Sequence, residues 1–251
     1  MHLPMKLIRP ASFFLACVGI AAFLPMDATA QKPNLVSFSG GYSLPVGQFA
    51  SKNLNDPEAG LAGSGFYGQL SYERKVISWL GFRLSGNLNT NTTNAQPLID
   101  RFSPLLNNPE SYTWKKETTT WQLAAVLLGP AGYLSLGPVE LEGHVQGGWI
   151  FAESPGVRVL GTSSTGGVAV DGQIQKASAN AFGFGAGASL RFRLTDWLGF
   201  QLTADAIGSN AQLKDVRNTA KLNNVVVQEF NSSPKRFVSV VNVGAGLVFG
   251  F

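Results

Sequence analysis

Residues 241–251 alternate between two kinds of side chain. One set is apolar and ends on aromatic residues: Val241, Val243, Ala245, Leu247, Phe249 and Phe251. The other set is mostly small or polar: Asn242, Gly244, Gly246, Val248 and Gly250. Apolar residues at every second position predict a β-strand with one apolar face. A fold built from such strands must place that face against a core or against lipid.

The same period-two pattern recurs along the chain. It predicts eight strands, over residues 34–44, 65–74, 81–90, 118–128, 139–151, 181–194, 199–207 and 237–251. The fourth strand is the least regular. Its apolar set, assigned to the outer face, is Trp121, Leu123, Ala125 and Leu127, which leaves Val126 and Leu128 on the inner face.

The connections between these strands alternate in length. Short links are predicted over residues 75–80, 129–138 and 195–198, and long ones over 45–64, 91–117, 152–180 and 208–236. An even number of strands with short turns at one end and long loops at the other is typical of transmembrane barrels. The predicted fold class is all-β, an eight-stranded antiparallel up-and-down transmembrane β-barrel. A soluble β-sandwich is the alternative, but it gives no reason for alternating loop lengths.

The N-terminus has the features of an export signal. Lys6 and Arg9 precede an apolar run over residues 11–24, and Ala28-Thr29-Ala30 forms an A-x-A cleavage site before Gln31. The run is 14 residues long, which is short of the roughly 20 that a transmembrane helix needs. We predict a cleaved signal peptide over residues 1–30 and a barrel domain over residues 31–251.

Composition argues against several kinds of function. The formal net charge is +4, but the basic residues are scattered, so nucleic acid is not a predicted partner. Cys17 lies in the signal region, so the mature chain has no disulfide. His144 is the only histidine beyond the signal region, and this small number of ligands argues against a zinc site. No catalytic, cofactor-binding or metal-binding residue is predicted.

The inward positions carry charges at the end of the short turns. An eight-stranded barrel is just wide enough for side chains to fill, and unpaired buried charges are costly. We therefore predict a charge-paired plug at the end of the short turns, which is the periplasmic end in transmembrane barrels, formed by Glu73, Arg83, Glu140, Glu142, Arg191 and Arg193. Two alternatives are that these residues lie in solvated turns, or that the lumen holds a wet cavity.

Tryptophans mark the predicted membrane interfaces. Trp79 and Trp197 occupy equivalent places in two similar segments, Ser-Trp-Leu-Gly-Phe-Arg-Leu over 78–84 and Asp-Trp-Leu-Gly-Phe-Gln-Leu over 196–202. Each segment follows a short turn into a strand. Together with Trp149 they are the predicted aromatic girdle, since tryptophan prefers the headgroup level.

The chain resembles small outer-membrane β-barrel proteins of the OmpA/OmpX and PorT-like type. The resemblance is carried by the opening Gly-Gly-Tyr-Ser-Leu-Pro-Val-Gly-Gln-Phe-Ala over residues 40–50 and by the C-terminal strand ending on Phe251. It implies the outer membrane of a Gram-negative bacterium, with Phe249 and Phe251 as assembly signal. The implied partners are outer-membrane lipid and, during biogenesis, the barrel-assembly machinery. The expected protein is a monomeric, non-catalytic scaffold whose loops bind an unidentified ligand; a narrow channel and a lipid-modifying enzyme are the alternatives.

Overall fold

The computed structural model describes residues 33–56, 58–106 and 108–251. The predicted signal peptide over residues 1–30 lies outside the described residues. The described strands are β1 (Asn34–Pro45), β2 (Ala62–Ile77), β3 (Leu80–Thr93), β4 (Tyr112–Thr118), β5 (Trp121–Leu136), β6 (Val139–Glu153), β7 (Val157–Ser163), β8 (Val170–Ile174), β9 (Ser178–Arg193), β10 (Leu198–Gln212), β11 (Val216–Leu222), β12 (Val225–Ser232) and β13 (Lys235–Gly250). One α-helix, α1 (Gln96–Phe102), lies in the second long loop. Among the described residues, no helix is long and apolar enough to cross a membrane.

Eight of these strands close into an antiparallel barrel in the order β1-β13-β10-β9-β6-β5-β3-β2. The first and last strands complete the ring, from Leu35 opposite Gly250 to Pro45 opposite Val240. The predicted fold class is confirmed. Closure matters because every strand then has a hydrogen-bonding neighbour on both sides, which is the condition for β-structure in a membrane.

The outer face of the barrel is apolar and exposed. Its large side chains include Phe38, Tyr42, Phe66, Phe82, Leu134, Val145, Phe184 and Leu202. In water such a surface would be costly, since each apolar residue left exposed forfeits about 1.5–3 kcal/mol of burial. The face is therefore a lipid-facing belt.

Strand β5 corrects one prediction. The sequence assigns Trp121, Leu123, Ala125 and Leu127 to the outer face, but all four are buried, and Leu128 is 57% exposed. The reason is that the upper part of the lumen is apolar, so this strand directs its larger alternate residues inward. The strand also continues to Leu136, so the predicted link over residues 129–138 shrinks to a tight turn at Gly137 and Pro138, where Gly137 adopts φ +67°.

The apolar core lies inside the extracellular half of the barrel. Its members come from five barrel strands and three loops: Phe49, Ala62, Trp121, Leu123, Ala125, Leu127, Ile150, Ala152, Ala177, Ile207, Ala211, Leu213, Val216, Val238 and Val240. Phe49 comes from the first long loop and meets Trp121 edge to face, with ring centroids 5.0 Å apart. The Trp121 indole N–H donates to the Gly60 carbonyl at 3.0 Å. The first loop thus enters the barrel and fills its outer mouth.

The other three long loops build a second sheet beyond the barrel, in the order β12-β11-β8-β7-β4. Each of these strands is next in sequence to one barrel strand, and those barrel strands are neighbours in the same order, β13-β10-β9-β6-β5. The second sheet therefore prolongs one side of the barrel wall. Ile99 of helix α1 and Ala95, the residue before the helix, pack against this sheet in one apolar cluster with Val157 and Val159. The sequence favours turn and coil for much of these loops, and it indicates hairpin extensions only at residues 156–159 and 225–227.

Candidate functional site

The predicted charge cluster forms at the periplasmic end of the lumen. Strand register places Glu73 opposite Arg83 on β2 and β3, and Glu140 opposite Arg191 on β6 and β9. Arg83 Nη1 lies 2.8 Å from Glu73 Oε1 and 3.3 Å from Glu142 Oε2, and all three side chains are at most 1% exposed. The paired charges are therefore fully removed from solvent.

Arg191 links the remaining carboxylates. Its Nη2 lies 2.6 Å from Glu73 Oε1 and 3.6 Å from Glu142 Oε2, and its Nη1 lies 3.3 Å from Glu140 Oε1. Lys75 also pairs with Glu140. Each carboxylate is shared between two cations, so a network rather than separate pairs crosses the lumen.

Arg193 does not join this network, contrary to the prediction. It is exposed, and no ion pair is found for it within the described residues. It lines a vestibule of about 390 Å³ at the periplasmic mouth, together with Lys75, Glu140 and Arg191. The physical reason is position: Arg193 is the last residue of β9, where the wall ends and solvent begins.

Three further members of the cluster escape prediction from the sequence. Lys75 lies two residues after Glu73 and so shares its face, a spacing that could have indicated its place. Tyr133 donates its hydroxyl to Glu73 Oε2 at 3.0 Å, but its segment is predicted as a link. Asp205, an inward residue of β10, lies 3.0 Å from Nε2 of His144, a contact that depends on the register of strands distant in sequence.

Above the charged layer lies a layer of amides and hydroxyls. Gln69 Nε2 donates to Asn87 Oδ1 at 2.9 Å, and Asn89 Nδ2 donates to Ser43 Oγ at 2.9 Å and to Asn242 Oδ1 at 2.5 Å. From the periplasm outward, the lumen is thus charged, then polar, then apolar. Buried side chains lie at each of these levels.

The predicted girdle residues all face outward. Trp79 and Trp197 are exposed at the periplasmic turns, and Trp149 is exposed toward the extracellular end of β6. Trp197 stacks on Phe249 with centroids 6.1 Å apart. Phe251 is exposed at the foot of the barrel wall. These positions suit the predicted interface and assembly roles, which stay predictions.

The protruding sheet carries its own ion pairs. Arg158 Nη2 lies 2.8 Å from Asp171 Oδ2 between β7 and β8. Hydrogen bonding by the Arg158 guanidinium lowers the pKa of the Asp171 carboxyl, and the hydrogen bond from Lys115 lowers the pKa of Glu117 on β4. Toward the β12 edge of the sheet, Arg217 of β11 pairs with Glu229 of β12.

The two edges of that sheet differ in character. Within the described residues β4 pairs only with β7, and β12 only with β11. The edge strand β4 carries three consecutive charges, Lys115, Lys116 and Glu117, whereas β12 carries exposed Val225, Val226, Val227 and Phe230. Charges on an edge strand oppose pairing with another chain, and an apolar edge does not.

No protein-family model matches the sequence, and no curated protein matches it. Among solved structures, the fold is similar to Neisserial surface protein A, with 14% identity over 87% of this chain and 97% of that chain, at a TM-score of 0.42. The fold is also similar to a major outer membrane protein from Thermus thermophilus, with 13% identity over 87% of this chain and 98% of that chain, at a TM-score of 0.46. For Ail, the attachment invasion locus protein of Yersinia pestis, the identity is 16% over 87% of this chain and 99% of that chain, and the TM-score is 0.40. These similarities concern the fold alone.

The location follows from the barrel itself. A closed, even-numbered antiparallel barrel with an apolar exterior, short turns at one end and long loops at the other is the architecture of outer-membrane proteins. The chain is a small transmembrane β-barrel of the outer-membrane type.

Proposed function

We propose that this barrel is a non-catalytic scaffold that binds an extended polypeptide segment at the free edge of β12. Strand addition uses main-chain hydrogen bonds for affinity and alternate side chains for specificity. The observation that carries the proposal is the exposed apolar edge strand held outside the membrane by a closed barrel.

The geometry of the edge supports this role. All residues from 225 to 231 are exposed, with Val225 at 65% and Phe230 at 49%. Pairing with β11 is regular from Ser232 to Gln228, shifts by one residue at Val227, and continues through Val226 and Val225 to the turn at Asn223 and Asn224. Free backbone groups beside exposed apolar side chains are what an incoming strand requires.

Two features argue against the alternatives. A channel needs a continuous aqueous path, but ion pairs, amides and the Phe49–Trp121 contact fill successive levels of the lumen. A lipid-modifying enzyme of the histidine-dependent kind needs an accessible base at the lipid face, whereas His144 lies in the lumen with a side chain 2% exposed. Both features favour a scaffold.

The test uses a fluorescent decapeptide that alternates valine and threonine. Binding to the detergent-solubilised protein is followed by anisotropy. We expect saturable binding to the wild-type protein. In the double variant Val225→Lys, Phe230→Lys the affinity should fall by at least about tenfold, which corresponds to about 1.4 kcal/mol. The matched control adds the same charges to the other edge, at the exposed Thr113→Lys and Thr118→Lys.

Equal affinity of the two double variants would contradict binding at the β12 edge. Conductance steps in planar bilayers would instead support the channel, and altered lipid A on expression would support the enzyme. Retained heat-modifiable mobility in gels shows that each variant still forms the barrel.

A further inference from the structure

Two buried carboxylates approach the imidazole of His144 from both of its nitrogens. Nδ1 lies 2.9 Å from Glu142 Oε1, and Nε2 lies 3.0 Å from Asp205 Oδ1; the three side chains are at most 3% exposed. A neutral imidazole donates from one nitrogen only, whereas the imidazolium donates from both. In the neutral ring, one carboxylate would face a lone pair.

The charge balance of the lumen leads to the same state. Its charged layer holds four carboxylates, Glu73, Glu140, Glu142 and Asp205, and three permanent cations, Lys75, Arg83 and Arg191. A buried charge without a partner is strongly unfavourable. An imidazolium at His144 supplies the one positive charge that this layer lacks.

Asp205 depends on that charge more than the other carboxylates do. Within the described part of the chain, neither of its oxygens has a hydrogen bond of good geometry, and its one ion-pair partner is His144. Glu142, by contrast, also approaches Arg83 at 3.3 Å and Arg191 at 3.6 Å. Removing the proton would therefore leave Asp205 without compensation.

The surroundings of the ring hold few other ionisable groups. On β9 the residue opposite His144 is Gly187, and on β5 it is Ala131, neither of which carries a charge. On β3, Arg83 reaches the far side of Glu142. On β2, the Tyr67 hydroxyl is bonded to Thr203 at 2.8 Å. Glu142 and Asp205 are thus the groups that meet the ring nitrogens.

Gly187 gives the ring its place. A Cβ at this position would lie 2.9 Å from His144 Cε1 and would also contact Asp205 Oδ1. The imidazole therefore occupies the space that a side chain at position 187 would need. It bridges β6 to β10 across β9.

We propose that His144 is a proton-binding site of the barrel lumen, held as an imidazolium between Glu142 and Asp205, and that this proton ties β6 to β10. This site lies inside the barrel and is independent of binding at the β12 edge. It makes the packing of the lumen sensitive to pH in a barrel whose other paired cations are Arg and Lys.

The test exploits the composition of the chain. His2 and His144 are its only histidines, so untagged protein expressed from Gln31 and labelled with ¹⁵N-histidine gives ring signals from one residue. In detergent micelles at about pH 7.5, where a free histidine is mostly neutral, we expect both ring nitrogens to be protonated. A single neutral tautomer in the wild-type protein would overturn the proposal.

Variants separate a charge effect from a structural one. Asp205→Asn removes one counter-ion at nearly constant shape, and we expect the ring to become neutral at the same pH. The control is Asp171→Asn, the same substitution in the protruding sheet, where the carboxylate pairs with Arg158 and lies outside the lumen; the ring signals of His144 should keep the doubly protonated pattern. An imidazolium that persists in Asp205→Asn would contradict the role of Asp205.

Discussion

Glu140 and Arg191 face each other directly across the ladder between β6 and β9, with Oε1 of the carboxylate 3.3 Å from Nη1 of the guanidinium. Arg193, two residues further along the same face, stands in solvent. The boundary between buried and solvated charge thus falls between two arginines of one strand.

This boundary predicts different costs for the two arginines. Arg191→Ala removes a cation shared by two buried carboxylates, Glu73 and Glu142, and by the partly buried Glu140; breaking one side of a buried pair costs about 3–5 kcal/mol. Arg193→Ala should cost less than about 1 kcal/mol, as for exposed charges. Urea unfolding of the refolded barrel in lipid vesicles measures both. Equal losses would mean that the mouth of the barrel is packed differently from the structure.

The inward orientation of β5 gives a second prediction. Trp121→Ala should cost about 3–5 kcal/mol, because it empties a large volume at the centre of the apolar core. Trp149→Ala on the lipid face should cost clearly less, since no packed core is disturbed. The same unfolding experiment compares the two losses of stability. A larger loss for Trp149→Ala would mean that Trp121 faces outward, as the sequence predicts.

Depth in the membrane gives a third prediction. Leu202→Arg places a charge on the lipid face of β10 and should cost about 2–4 kcal/mol near the midplane. Asn210→Arg lies on the same face of the same strand toward its extracellular end, where the cost falls to about 0–1 kcal/mol. If the two substitutions were equally tolerated in vesicle unfolding, the apolar belt would not lie in hydrocarbon.

The pair Arg158–Asp171 predicts a pH dependence in the protruding sheet. The lowered pKa of Asp171 means that the folded sheet stabilises the ionised carboxylate, so this contribution is present above the unfolded pKa of about 3.9 and is lost as the pH falls through the folded value. Arg158→Gln should therefore reduce backbone hydrogen-exchange protection of β7 and β8 at neutral pH, by less than about 1 kcal/mol. Because the carboxyl is neutral at low pH, the difference should vanish once the pH lies well below the lowered pKa of Asp171 in the folded sheet; a difference that persisted there would exclude the ion pair as its cause.

Local pattern determined much of this architecture. Alternation located all eight barrel strands, because a strand between lipid and a narrow lumen must change environment at every residue. Position along those strands also placed Glu73, Arg83, Glu140, Glu142 and Arg191 at one end of the lumen. Neighbouring strand ends meet there whatever the details of register.

The remainder needed the tertiary structure. Alternation divides a strand into two faces but does not say which one is inside, and in β5 both faces are apolar, so the closed barrel decided that Trp121 points inward. The entry of Phe49, the pairing of His144 with Asp205 and the exclusion of Arg193 depend on which side chains share one level of the lumen. The register between strands far apart in sequence determines which side chains share a level, and the local residue pattern does not predict that register.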